Sequence, residues 1–187
     1  MKITYVYLND KKIYTEITKT YLFIPAVKWL RKMFDSSTMH RSALHEKVYR
    51  VSIKNTDYIV SSNGKVALYW KAPFVDELEY DTPYWISIMG RDIFITEHKH
   101  NDDSDFKSHH FAIIPEDVKE IASSQVCAIP SMIGKMERII DYKLFDKVKS
   151  VFNFSKEDVS IYTYEKEYSP VLLEKNDFKA LIMPYRQ

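Results

Sequence analysis

The sequence predicts an α+β chain, with antiparallel sheets and helices packed on one face. Three observations point there. Short runs rich in β-branched and aromatic residues alternate with polar ones and are separated by turn residues. A few stretches carry apolar residues at helical spacing instead. The order strand, helix, three strands occurs twice along the chain.

Residues 3–8 and 12–23 read as a strand pair turning at Asn9-Asp10-Lys11, with alternation clearest in Tyr14-Thr15-Glu16-Ile17-Thr18. Pro25 then opens a helix over 25–36, because a first-turn proline needs no donor. Trp29, Leu30, Met33 and Phe34 form its apolar stripe, and Lys28, Arg31, Lys32 and Asp35 lie opposite. Residues 47–54 alternate, with Tyr49, Val51 and Ile53 on one face and Val48, Arg50 and Ser52 on the other. Asn55-Thr56 turns into 58–60, and Asn63-Gly64 turns into 66–70; Asn-Gly is a strong hairpin signal. After an acidic stretch at 76–81, residues 84–89 and 93–97 form another hairpin through Gly90-Arg91-Asp92. Residues 111–114 read as a strand, followed from Pro115 by a helix to about 123. Helical spacing returns at Met132, Ile133, Met136, Ile139 and Ile140. It is cleanest at Leu144, Phe145, Val148, Val151 and Phe152. A strand at 159–164 precedes a last hairpin, 171–173 and 178–183, turned by Glu174-Lys175-Asn176-Asp177.

The 187 residues fit one domain spanning 1–187, with insertions near 76–108 and 124–142. No run of 18 apolar residues suggests a membrane span, and the N-terminal residues lack a signal-peptide core. A single cysteine, Cys127, excludes an intramolecular disulfide framework and fits a reducing, cytoplasmic location. Three glycines argue against Gly-rich phosphate loops, and no such pattern is present. The net charge of +1 hides an uneven distribution. Residues 1–75 carry 13 Lys/Arg against 5 Asp/Glu, and residues 76–130 carry 4 against 12. A basic first third suits a polyanion, and it equally suits an intermixed solvated surface.

The ending Ile182-Met183-Pro184-Tyr185-Arg186 resembles the C-terminus of the bacterial β sliding clamp family, the processivity subunit of DNA polymerase III. That family ends in such a hairpin and an apolar-Met-Pro-apolar-Arg tail. Two further stretches, in the right order, strengthen the resemblance. Ser61-Ser62-Asn63-Gly64-Lys65-Val66-Ala67-Leu68 is similar to the family's Thr-Asp-Gly-His-Arg-Leu turn, with Asn63 for Asp and Lys65 for His. His110 to Ile121 resembles the apolar strand, proline and helix that open the second half of a clamp domain. The resemblance implies a DNA-clamp-like domain. The second clamp helix would be either 115–123 or 143–153. A bacterial clamp chain holds three such domains, and this chain has room for one.

The resemblance also implies roles. Clamp helices line a ring and offer Lys and Arg to DNA phosphates without reading sequence. Lys28, Arg31 and Lys32 are the first candidates here, and Lys143, Lys147 and Lys149 the second. The bland reading is a solvated helix face. In the family the tail and the Gly-containing turn border a pocket for short peptides from polymerases and loaders. The partner-binding candidates are therefore Ser62, Asn63, Gly64, Lys65, Val66, Met183, Pro184, Tyr185 and Arg186. In the family the two elements come from neighbouring domains, so here they are expected to meet across a subunit interface. The bland reading is a strand end that caps the core. His98, His100, Asp102, Asp103, Asp105, His109 and His110 have metal-ligand character, but a charged loop of this composition needs no metal, and none is expected. No cofactor and no catalytic arrangement emerges.

The expected function is a non-enzymatic, sliding-clamp-like processivity factor. It would associate with double-stranded DNA and DNA polymerase or other clamp-binding peptide motifs, and work as a homo-oligomer, at home in a phage or mobile element. Two alternatives stand beside it. One is a clamp-fold adaptor or decoy that does not encircle DNA. The other is a single-strand nucleic-acid-binding β-protein whose tyrosines stack on bases.

Overall fold

The computed structural model describes residues 2–18, 23–31, 47–62, 65–98, 119–124, 129, 142–152, 158–163 and 170–183. The elements are β1 (Lys2–Leu8), β2 (Lys11–Thr18), α1 (Phe23–Arg31), β3 (Tyr49–Ile53), β4 (Thr56–Ser62) and β5 (Val66–Trp70). A 3-10 turn at Val75–Glu77 leads to β6 (Tyr84–Met89) and β7 (Asp92–Glu97). There follow β8 (Lys119–Ser124), α2 (Tyr142–Phe152), β9 (Val159–Thr163), β10 (Val171–Lys175) and β11 (Phe178–Ile182).

Turn chemistry sets the hairpins. Asn9 and Asp10 both have positive φ (47° and 66°), as do Lys54 and Asn55 (49° and 60°). Two successive positive φ angles match the right-handed strand twist, which favours Asn and Asp in such turns. The Asn9 side chain also accepts from the Glu97 amide at 2.9 Å, tying the first turn to β7.

Four strands form one sheet in the order β2-β1-β7-β6, and seven form another in the order β3-β4-β5-β11-β10-β9-β8. Among the described strands the ladders are antiparallel except β1 with β7, which is parallel, as is the isolated bridge between Arg50 and Tyr80, so the sheets depart there from the antiparallel expectation. The two sheets meet at a corner. There Val48 and Tyr84 exchange both backbone hydrogen bonds at 2.9 Å.

One core fills the space between the sheets and both helices. Val6, Ile86, Ile93 and Ile95 come from the first sheet, and Leu68, Trp70, Ile161, Leu173 and Ile182 from the second. Ala26, Val27, Trp29 and Leu30 come from α1, and Phe145, Val148 and Phe152 from α2. Trp29 is the keystone. Its Nε1 donates to the Val148 carbonyl at 2.8 Å, and its ring meets Phe152 and Phe178 edge-on at 6.1 and 5.5 Å. A buried indole needs such a partner for its N–H. Each helix also has a late carbonyl tied to the large sheet. Ser61 Oγ donates to the Leu30 carbonyl at 3.0 Å, and Lys175 Nζ to the Phe152 carbonyl at 2.7 Å. The opposite face of the large sheet carries a second apolar cluster, including Tyr49, Val51, Val60 and Tyr69.

Arg50 fastens the 75–81 segment to β3 and β4. Its guanidinium donates to Asp57 through Nε and Nη2, to the Asp76 carbonyl at 3.0 Å, and to the Leu78 carbonyl at 2.7 Å. Tyr80 stacks on it at 4.3 Å and donates to Asp57 at 2.7 Å.

The structure corrects three sequence expectations. Residues 119–123 are strand, not helix, because β8 completes the ladder along β9 from Lys119↔Thr163 to Ser124↔Val159. Of the two stretches expected to supply the second clamp helix, 143–153 is the helical one, as α2. Phe23 starts α1 rather than ending β2, which stops at Thr18. The span 76–108 is not a mere insertion in its first part, since β6 and β7 complete the four-stranded sheet. The expected strand at 111–114, the helical pattern at 132–140 and most of the expected insertion at 124–142 lie outside the described residues.

Candidate functional sites on one sheet and two helices

The helix face is built by packing. Burial of Ala26, Val27, Trp29 and Leu30 leaves Lys28 and Arg31 exposed on the far side of α1. α2 lies alongside, held by Trp29, and its Lys143 is exposed. Lys149 pairs with Asp146 at 2.6 Å, so part of its charge is met within its own helix. Lys147 belongs to α2, and its side chain, like Lys32, lies outside what is described. The two basic helices that the sequence singled out are thus neighbours.

The described ends of the two partner-site elements, Lys65 and Met183, also come together, but not across a subunit interface. β5 pairs with β11 from Val66↔Ile182 to Trp70↔Phe178, and β4 pairs with β5 from Ile59↔Trp70 to Ser62↔Ala67. The ladder ends with the Met183 amide donating to the Lys65 carbonyl at 2.8 Å. Ser62 and Val66 are buried, Lys65 is exposed, and Met183 is 41% exposed. Among the described residues, Lys65 and Val66 thus meet Ile182 and Met183 inside one chain, where a contact across a subunit interface was expected. The reason is topological: the last hairpin inserts beside β5 in the same sheet. Asn63, Gly64, Pro184, Tyr185 and Arg186 lie outside the described residues.

At the opposite end of the same strands is a cleft of about 500 Å³. Its floor is aromatic, formed by Phe23, Trp70 and Phe178. Trp70 meets Phe23 edge-on at 5.4 Å and lies parallel to Phe178 at 6.4 Å. Asp57, Asp76 and Asp177 line it together with Lys71. Burial pushes the Asp57 carboxyl up, but hydrogen bonds from Arg50, Tyr80 and Ser52, with the Arg50 charge, outweigh this and hold it below its ordinary value. Sequence reasoning missed this cleft. Its carboxylates come from three separate places in the chain, Asp57 at the start of β4, Asp76 in the 3-10 turn and Asp177 in the last hairpin turn, and no local pattern links them.

Of the histidine-rich loop only His98 is described. Its Nδ1 accepts from Trp85 Nε1 at 2.8 Å, with the two rings edge to face. His100, Asp102, Asp103, Asp105, His109 and His110 lie outside the described residues. Among the described residues no three His, Cys, Asp or Glu side chains converge as metal ligands, and no helix is long and apolar enough to cross a membrane.

No protein-family model matches this chain, and no curated protein matches it by sequence. Solved structures do match. The DNA polymerase III β subunit of Borrelia burgdorferi, in complex with a natural product, is similar with a TM-score of 0.54 and 13% identity, covering 94% of this chain and 67% of that one. A putative β subunit from Eubacterium rectale gives 0.51 and 12%, covering 94% and 67%. The β subunit of Thermotoga maritima gives 0.51 and 11%, covering 87% and 62%. The fold is therefore that of the sliding clamps. The chain spans about two thirds of the length of the solved clamp chains it matches.

Proposed function

We propose that this protein is a non-enzymatic DNA-tethering factor, holding a replication or transcription partner near duplex DNA as a homo-oligomer. The observation that carries this reading is the pairing of α1 and α2 on a clamp fold, with Lys28, Arg31 and Lys143 exposed along them. Side chains of that kind bind phosphates without reading bases, which suits movement along DNA. Reversing Lys28, Arg31 and Lys32 to Glu is expected to weaken duplex binding and flatten its salt dependence, by about one unit of slope for each phosphate no longer neutralised. Light scattering of the same samples reports the assembly on DNA. An unchanged slope in a folded variant rules this helix out as the DNA surface.

A second reading is favoured by one specific observation. Because the Lys65 turn and Met183 meet within one chain, a peptide site built on them needs no second copy. A clamp-fold adaptor that captures the partners of clamps without encircling DNA has the same site. Removing Tyr185, Arg186 and Gln187 is expected to weaken a short clamp-interaction peptide by about 1–3 kcal/mol, the cost of one aromatic anchor. The melting temperature should stay near that of the full chain. Calorimetric titration of both proteins checks this, and equal affinity, or none for either, counts against a partner site at the tail.

A further inference from the structure

The cleft at the far end of β4, β5 and β11 is a binding site of a different kind from the Lys65–Met183 end. We infer that it takes an extended peptide carrying an aromatic or aliphatic anchor next to an arginine or lysine. Three features fix that chemistry. The half-buried Phe23 and Phe178, with the buried Trp70 packed against them, offer an apolar floor that holds an anchor side chain. Asp177 is exposed, and the Asp76 side chain is 83% exposed, its carboxylate meeting Arg50 through Oδ1 alone. These charges face solvent at the mouth of the cleft. Lys71 is the one cation among the described residues lining it, so the rim is net negative.

The same features exclude other occupants. Carboxylates at the rim repel nucleic-acid phosphates, so the cleft is not part of the DNA surface. Asp57 is already engaged by Arg50 and Tyr80, so no free carboxylate cluster remains for a metal ion. A volume of about 500 Å³ holds more than one small cation and accommodates two or three side chains of a peptide. The length of β11 lies between this cleft and the Met183 end, so a ligand in the cleft does not touch Met183.

The test uses acetyl-Leu-Phe-Arg-Lys-amide, with acetyl-Leu-Phe-Gln-Gln-amide as control, titrated into the full chain and followed by nitrogen-15 NMR. Shift changes are expected at the amides of Lys71, Asp177 and Phe178 and at the Trp70 indole. The control peptide should bind at least tenfold more weakly. The double variant Asp76→Asn, Asp177→Asn should bind the basic peptide at least tenfold more weakly. Lys71→Glu, which removes the competing cation, should tighten it severalfold. The chain lacking residues 184–187 should bind it unchanged. That last arm separates this inference from the tail site. Equal affinity for the two peptides, shifts confined to Lys65 and Met183, or no binding at all would overturn it.

Discussion

Trp29→Ala is expected to lower folding stability by about 3–5 kcal/mol, the range for deleting a fully buried large aromatic. Trp29 is 1% exposed and sits where α1, α2 and β11 converge. Its removal opens a cavity at that junction and takes away the one side-chain hydrogen bond described between the helices. For a chain of this length the melting temperature should fall by about 10 °C. Trp29→Phe keeps most of the packing and gives up the donor to Val148, so it should cost about 1 kcal/mol. The two variants separate ring packing from hydrogen bonding in a thermal melt. An alanine variant melting within 2 °C of the parent (on the order of 1 kcal/mol) would show that the helices are held by something else. Since Lys28 and Arg31 ride on the same helix, DNA binding should weaken with the fold rather than ahead of it.

Arg50→Ala is expected to cost about 2–3 kcal/mol, because it abandons several partners at once. Asp57 keeps a carboxylate at 17% side-chain exposure without its cation, and the Asp76 and Leu78 carbonyls lose their donor. Arg50→Lys should recover less than half, since an ammonium cannot span a carboxylate and two carbonyls as a planar fork does. The pH dependence follows from Asp57. Its folded value lies below the ordinary 3.8, so in acid the unfolded chain binds the proton more readily. The stabilisation is therefore complete above that ordinary value and is lost as pH falls through the folded one. Melts between about pH 5 and pH 2 should show a steeper acid decline for the parent than for Arg50→Ala. Parallel curves would sink this account.

The legible parts of the sequence were the local ones. Asn9-Asp10, Asn55 and Asn176 announce their hairpins, because a turn needs only a few residues to specify it; the second turn lies one residue earlier than read, at Lys54-Asn55, and the last is confined to Asn176-Asp177. The apolar stripes of α1 and α2 are likewise local, with Trp29 and Val148 inside and Lys28 outside. The failure at 119–123 has a clear cause. Pro115, Glu116 and Asp117 are good helix-start residues, and Val118 and Ile121 have helical spacing. The free edge of β9 overrides these signals by offering backbone partners that no local pattern records. The candidate sites divide in the same way. Basic residues on one helix face can be read from spacing. The joining of Lys65 to Met183, the Arg50 fastening and the cleft lined from separate places in the chain depend on β5 finding β11. Nothing near residue 66 in the sequence mentions residue 182.

That pairing has a consequence for how the molecule is made. β11 is the fourth of seven strands, and its partner β5 lies in the first half of the chain. As the chain leaves the ribosome, β3, β4 and β5 emerge early as a meander with an open edge. That edge stays bare until residues 178–182 are synthesised. Its strand is Val66-Ala67-Leu68-Tyr69-Trp70, uncharged and of high β propensity, the kind of segment that recruits stray strands from other nascent chains. High contact order slows the correct closure further. Chain-length-dependent aggregation is thus built into the topology, and productive folding should favour slow, dilute synthesis or a chaperone that shields the β5 edge until the last hairpin arrives.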